Sequence, residues 1–342
     1  PYGKSWKTDQ ERMGGKEEIS DRRFVIQFAG NPEYKMIPRS SDGQMLFLVN
    51  KLSKMKNSTA LGSRIAEVHN GSSLFTGDAG QGESNIRRWI IENDWLEAIV
   101  ALPENMFYNT GIATYIWLLS NRKSLERKGK VQLIDATGMY VPLRKNLGKK
   151  NCELSEDQIS EITHLIINPV ENEVSKIFPN EAFGYSKVTV EKPLRLKDIE
   201  PDRAYGSKEI KEKVAGGQYD ESGIPVIRRI HKHGTPDPLH GLFEREIGGK
   251  KVVVEYESDT NLRDTEQIPL LEEGGIEAFF NREVLPYSPG AWIDETKTQI
   301  GYEISFTRYF YKPVQMRSLD EIVEDIRKIE AETDGLLEEI IN

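Results

Sequence analysis

Hydrophobic positions in the first half of the chain switch between a helical and a strand-like period, the pattern of an α/β fold. Met45, Leu48, Leu52 and Met55 fall at helical spacing in QMLFLVNKLSKM, with Asp42 and Gly43 where a helix would be capped. A short strand is predicted over 64–68, and Ile86, Trp89, Ile90 and Asn93 mark one side of a helix from Ser84 to Asp94. That helix runs into LEAIVAL at 96–102, a continuous apolar run of the kind buried on both faces of a sheet. Further strands are predicted over 112–120 and 131–135. The runs at 96–102 and 112–120 are joined by nine residues with no helix between them, which predicts an antiparallel pair at one edge of an otherwise parallel sheet.

Beyond Lys150 the texture changes. SEDQ opens a helix from Ser155 to about Ile167, with Gln158 placed to complete a capping box, and Pro169 ends it. Residues 183–192 alternate like an exposed strand, 251–256 form another, and 200–250 are rich in Gly, Pro and charge, which predicts long loops. The stretch 3–41 is polar and broken by Gly and Pro, and 262–312 mixes acidic residues with aromatics and shows no single period. At the end, Ser318 and Glu321 form a second capping box, and Leu319, Ile322, Ile326, Ile329, Leu336 and Ile340 repeat in steps of three and four, interrupted at Thr333. Such a stripe needs cover, either from the chain's own body or from a partner helix.

The 342 residues suit about two domains, and 37% hydrophobic against 30% charged residues excludes wholesale disorder. No run approaches the ~20 apolar residues of a membrane span and no signal peptide opens the chain, so a cytoplasmic location without membrane contact is expected. Cys152 stands alone, which excludes an intrachain disulfide and a thiolate-rich zinc site. His231 and His233 lack an accompanying carboxylate pattern, so a surface or phosphate-facing role is expected of them rather than metal ligation.

The net charge of −9 argues against a globally basic nucleic-acid binder. The distribution adds to this. Residues 121–150 carry Arg122, Lys123, Arg127, Lys128, Lys130, Arg144, Lys145, Lys149 and Lys150 against Glu126 and Asp135, whereas 315–342 carry three basic and nine acidic residues. Screening confines each charge to about 8–10 Å, so one basic segment can meet a phosphate backbone on an acidic protein; a solvated lysine-rich loop fits the same charges. Gly77, Gly80 and Gly82, with Arg87 and Arg88 nearby, could cradle an anion ahead of a helix, but they match neither the P-loop nor the dinucleotide fingerprint, and a flexible helix lead-in is the better reading. No serine elbow, no distinctive carboxylate pair and no metal-dependent nuclease core stands out.

The strings PYGKSWK, SDGQMLFL, NGSSLFTGDAGQGESNIRRWIIENDWLEAIVALPENMFYNTGIATYIWLLSNRK and GKVQLIDAT occur in this order. FGYSKVTVEKPLR, LRDTEQIPLLEEGGIEAFFNREVLP and IGYEISFTRYFYKP follow them. Together they strongly resemble the modification subunit of type I restriction-modification systems, a DNA adenine methyltransferase. The resemblance implies an α/β fold, the second half of a Rossmann-like S-adenosylmethionine-dependent methyltransferase sheet, over 1–150. It also implies a polar α+β extension over 151–315 and a C-terminal docking helix over 316–342.

In that family an Asn-Pro-Pro-Tyr/Phe motif positions the exocyclic amino group of a flipped adenine. Here its last two members are Pro1, which would hold the turn, and Tyr2, whose ring would stack on the base. The Asn, the first Pro and the Gly-containing cofactor loop do not occur in the 342 residues. The chain is therefore expected to be a C-terminal piece that neither holds S-adenosylmethionine well nor methylates DNA by itself. The partners implied are DNA, a specificity subunit, a second modification subunit and a restriction subunit. Lys128, Lys130, Arg144, Lys145, Lys149 and Lys150 become the expected DNA-backbone contacts, and the stripe from Leu319 to Ile340 the expected docking face. The competing function is a non-catalytic scaffold that binds the specificity subunit and DNA.

Overall fold

The computed structural model describes residues 3–311 and 318–341, with backbone alone at 330–332 and 334–341. Pro1 and Tyr2 lie outside the described residues, as do the side chains of Leu336 and Ile340. There are two compact units, Pro1–Phe306 and Thr307–Asn342.

The first unit opens with helix α1 (Lys7–Arg12) and a hairpin of β1 (Val25–Phe28) and β2 (Asn31–Lys35). Helix α2 (Gln44–Leu52) buries Met45, Leu48 and Leu52, as its period predicts, and Val49 with them; it ends before Met55, which is only half-buried. Strand β3 (Arg64–Asn70), a short helix α3 (Ser72–Phe75) and helix α4 (Gly82–Glu92) follow. Next come β4 (Leu96–Leu102), β5 (Thr114–Ser120), β6 (Lys130–Asp135) and a hairpin of β7 (Val141–Leu147) and β8 (Lys150–Glu153). Helix α5 (Glu156–Ile167) and strand β9 (Ser175–Pro179) complete this half, and α5 starts with the expected capping box between Ser155 and Gln158.

Five of these strands form one sheet in the order β3-β5-β4-β6-β9. β5 is antiparallel to both β3 and β4, and β4 is parallel to β6. So β3, β4 and β6 share a direction, and their carboxyl ends, Asn70, Leu102 and Asp135, share one edge. The expected antiparallel pair of 96–102 with 112–120 is present. It does not sit at an edge of a parallel sheet: β5 is internal, and β4 with β6 is the one parallel pairing among the described strands of this sheet. Burial explains the placement, because Trp117 and Leu119 are fully buried and would be left wet on an edge strand. One face is covered by α5, whose Ile162 and Leu165 pack on Val100, Leu102, Ile134 and Ala136.

In the second half of this unit, β10 (Gly184–Glu191) pairs antiparallel with β16 (Asp264–Pro269) and β17 (Trp292–Tyr302). Between β10 and β16 lie β11 (Arg195–Leu196), α6 (Ser207–Ala215), β12 (Ile224–Pro225), β13 (Ile227–His231), β14 (Leu242–Ile247) and β15 (Lys250–Tyr256), and α7 (Gly275–Phe279) follows β16. The expectation of long loops over 200–250 is therefore corrected. Tyr205, Ile210 and Val226 join Leu194, Leu196 and Ile199 in a small core, and these anchors are too widely spaced to show a period. A short helix α8 (Phe306–Phe310) precedes α9 (Leu319–Ile341), which Ser318 and Glu321 cap reciprocally. Leu319, Ile322, Ile326 and Ile329 of α9 are exposed. No described helix is long and apolar enough to cross a membrane.

The halves of the first unit meet at α4. Arg87, fully buried, donates from Nε to the Tyr302 carbonyl at 2.6 Å and from Nη1 to that of Ser73 at 3.0 Å. Tyr302 N–H donates to Ser84 Oγ at 3.0 Å. The first residue of α4 has no room for a side chain, since a Cβ on Gly82 would stand 1.9 Å from the Ile37 carbonyl oxygen. Gly82→Ala should therefore destabilise the chain by about 1–3 kcal/mol, the usual cost of overpacking. Urea unfolding measures this, and an unchanged midpoint would contradict the packing described.

Candidate nucleic-acid interface at the carboxyl edge of the sheet

The segment that follows Tyr2 is fastened to the approach to α2. Lys4 O accepts from Gly43 N–H at 3.1 Å, Trp6 N–H donates to Ser40 O at 2.9 Å, and the Trp6 indole donates to Arg39 O at 2.9 Å. Just beyond this staple, Asp42 Oδ1 accepts from Gln44 N–H at 3.0 Å. The buried Gln44 amide nitrogen then lies 2.6–2.8 Å from Asp42 Oδ2, Asn70 Oδ1 and Ser72 Oγ. Its oxygen accepts from Asn70 N–H at 3.1 Å and stands 3.2 Å from His69 Nδ1. Residues 4–6 are thus tied to the segment that enters the polar cluster, and the cluster holds the carboxyl end of β3. Sequence reasoning missed Gln44, Asn70 and Ser72 as a unit; its one trace was a polar residue opening an otherwise apolar helix.

Beside the cluster, His69 is buried against the Trp117 ring, with centroids 5.6 Å apart. Burial, reinforced by the Lys51 charge, pulls His69 down to about 4, whereas burial pushes the neighbouring Glu67 carboxyl up despite Lys51 Nζ at 3.2 Å.

Along the same edge, the loop between β4 and β5 is locked to the β7–β8 hairpin. Asn151 N–H donates to Asn105 O at 3.1 Å, and the Cys152 thiol to Glu104 O at 3.2 Å. Lys150 Nζ lies 5.5 Å from the Tyr108 ring centroid. Arg144, Lys145 and Lys149 are exposed on this hairpin, and the more covered Lys150 also pairs with Glu153 at 3.9 Å, so the structure places these four basic residues on one hairpin. Lys128 and Lys130 are exposed at the opposite end of β6, five steps or roughly 17 Å away along the strand. Others from the basic segment are engaged internally. Lys123 is buried, 2.6 Å from Asp94, and Arg122 donates to Asn57 O at 2.6 Å.

The glycines at 77–82 do not form an open anion cradle. A Cβ on Gly80 would meet the Gln299 amide oxygen at 2.5 Å, and the buried Glu83 carboxylate accepts from Arg39 N–H at 3.0 Å. Arg87 is the buried clasp, and Arg88 pairs with Glu92 at 2.9 Å. This loop, filled by the chain's own backbone and carboxylate, does not fit S-adenosylmethionine. His231 has a carboxylate across the sheet after all, Glu255 at 2.5 Å. No group of three or more metal-ligating side chains occurs among the described residues.

Residues 1–212, which contain the staple, the polar cluster and the basic hairpin, match the family model of N-6 DNA methylases. The chain belongs to the N-6 DNA methylase family. Among relatives within the family, it is 34% identical over 125 residues to the type I restriction enzyme MjaVIII methylase subunit of Methanocaldococcus jannaschii, over 36% of this chain and 19% of that one. It is 48% identical over 54 residues to the HindI methylase subunit of Haemophilus influenzae, over 16% of this chain and 12% of that one. The matched segments span less than a fifth of these methylase subunits' own length. A crystal structure of a type I methyltransferase subunit from Streptococcus thermophilus aligns with 24% identity and a TM-score of 0.41, over 54% of this chain and 34% of that one.

The buried histidine gives this methylase edge a pH signature. An unfolded histidine titrates near 6.5, so between about 4 and 6.5 the unfolded chain binds a proton that folded His69 refuses. Its contribution to stability is therefore lost as pH falls through that window, by up to about 1.4 kcal/mol per pH unit. Glu67, raised by burial, acts in the opposite sense. The stability gap between wild type and His69→Gln in urea unfolding should accordingly narrow from pH 6.5 to pH 4; a gap that stays constant would contradict a neutral buried His69.

Proposed function

We propose that this chain is the target-base side of a type I modification subunit, which as a whole transfers a methyl group from S-adenosylmethionine to the N6 amino group of adenine in DNA. The observation that carries this reading is the N-6 DNA methylase match over residues 1–212. On this reading the five-stranded sheet is the second half of a Rossmann-like methyltransferase sheet, a view supported by the common direction of β3, β4 and β6 with β5 reversed between two of them. Pro1 holds the turn and the Tyr2 ring stacks on the flipped base; their support is the staple that fixes residues 4–6 beside Gln44. The family's Asn-Pro and Gly-containing cofactor loop do not occur in the 342 residues and the filled 77–82 loop does not replace them, so these residues alone are expected to transfer no methyl group.

Arg144, Lys145, Lys149 and Lys150 contact the DNA backbone, and Lys128 and Lys130 meet a separate stretch of phosphates. The stripe of α9, Leu319, Ile322, Ile326, Ile329, Leu336 and Ile340, docks a specificity subunit, in an assembly with a second modification subunit and a restriction subunit. Support for this docking is the exposure of the stripe's first four members.

The chain should bind duplex DNA with a salt-dependent affinity and transfer no methyl from labelled S-adenosylmethionine. Replacing Arg144 and Lys145 together by Ala should reduce the log–log salt slope by about 2, since each phosphate contact contributes about 0.9. An unchanged slope would remove the hairpin from the interface, and methyl transfer by the chain alone would overturn the assignment of the cofactor site.

A further inference from the structure

We propose that Tyr108 is a stacking wedge that this chain inserts beside an unpaired base in duplex DNA. The inference rests on the DNA-facing reading of the β7–β8 hairpin and adds to it a residue and a preferred form of DNA. The loop between β4 and β5 carries three large side chains in a row, and they divide the work. Met106 and Phe107 pack against the core of Val100, Leu102, Ile134 and Ala136. Tyr108 turns outward and is 63% exposed. Asn105 and Asn109, at φ 57° and 58°, bend the backbone through the left-handed region on either side of these three residues. The backbone bond from Asn151 and the thiol bond from Cys152 then fasten the loop to the hairpin. The tyrosine is therefore an exposed ring on a braced loop.

Its surroundings favour nucleic acid as the occupant. The Lys150 ammonium lies 5.5 Å from the ring centroid, and Arg144, Lys145 and Lys149 extend the positive charge along the same hairpin. Cations that track phosphates beside an aromatic face are the arrangement with which proteins grip unstacked bases, since every base offers a π-face. A tyrosine has only two side-chain torsions to fix, so little conformational freedom is lost when it stacks. In an intact duplex the bases are already stacked on one another. An unpaired position offers the ring a free π-face, and DNA containing one is the form this site should select.

The test is binding of the 342-residue chain, at low salt, to a perfect duplex and to the same duplex with one central abasic site opposite an unpaired base. The wild-type chain should prefer the interrupted duplex by roughly tenfold or more, the scale of one aromatic–base stack. Tyr108→Ala should lose that preference while keeping the salt slope, and Tyr108→Phe, which retains the ring, should keep both. Equal affinity of the wild type for the two duplexes, or a preference that survives in Tyr108→Ala, would overturn the wedge and leave the backbone contact standing. Absence of salt-dependent binding to either duplex would overturn the DNA-facing reading, and the wedge with it.

Discussion

The guanidinium of Arg87 has no access to solvent, and three backbone carbonyls receive it: Tyr302 at the end of β17, Ser73 in α3 and Gly77 in the loop after it. Burial pulls the group down to about 10, which leaves it charged at neutral pH. A buried cation without partners would be strongly unfavourable, so the chain must bring those carbonyls together. In doing so it closes the second half of the first unit onto α4 and fixes the loop that leaves the carboxyl end of β3. Ile304 N–H, bonded to Leu74 O at 2.9 Å, and the Phe306 ring, 5.4 Å from that of Tyr115, extend the same closure.

With that loop fixed, the carboxyl edge of the sheet has little freedom left. Gln44 joins the start of α2 to Asn70 and Ser72, and the staple at residues 4–6 fixes the chain that follows Tyr2. The β7–β8 hairpin fastens the other end of the edge to the β4–β5 loop. The polar cluster, the exposed tyrosine and four basic side chains therefore stand along one edge built from three codirectional strands. A membership of the N-6 DNA methylase family and an edge of this composition agree with each other, although they rest on different observations.

Much of this was legible in the sequence where a single interaction dominates. The apolar run at 96–102 and the Ser155–Gln158 capping box are local signals, and the structure contains both elements. The strand over 112–120 was legible, but its place in the sheet was not, because pairing with β3 depends on residues about fifty positions earlier. The hairpin of β1 and β2 and the elements between 200 and 250 bury too few side chains each to show a period. Gly77, Gly80 and Gly82 read as a flexible helix lead-in with space for an anion because only their spacing is visible, whereas the Ile37 carbonyl and Gln299 that fill their space are remote in sequence. Lys123 carries the same formal charge as Lys149, and burial beside Asp94 is what removes it from any external interface.

Backbone hydrogen exchange of the chain with and without a duplex at low salt tests whether the carboxyl edge of the sheet is the DNA-facing surface. The account predicts that slowed exchange on adding DNA is concentrated at residues 103–112 and 140–153. Slowed exchange confined to the β13–β15 region, 227–256, with the two carboxyl-edge segments unchanged, would contradict it.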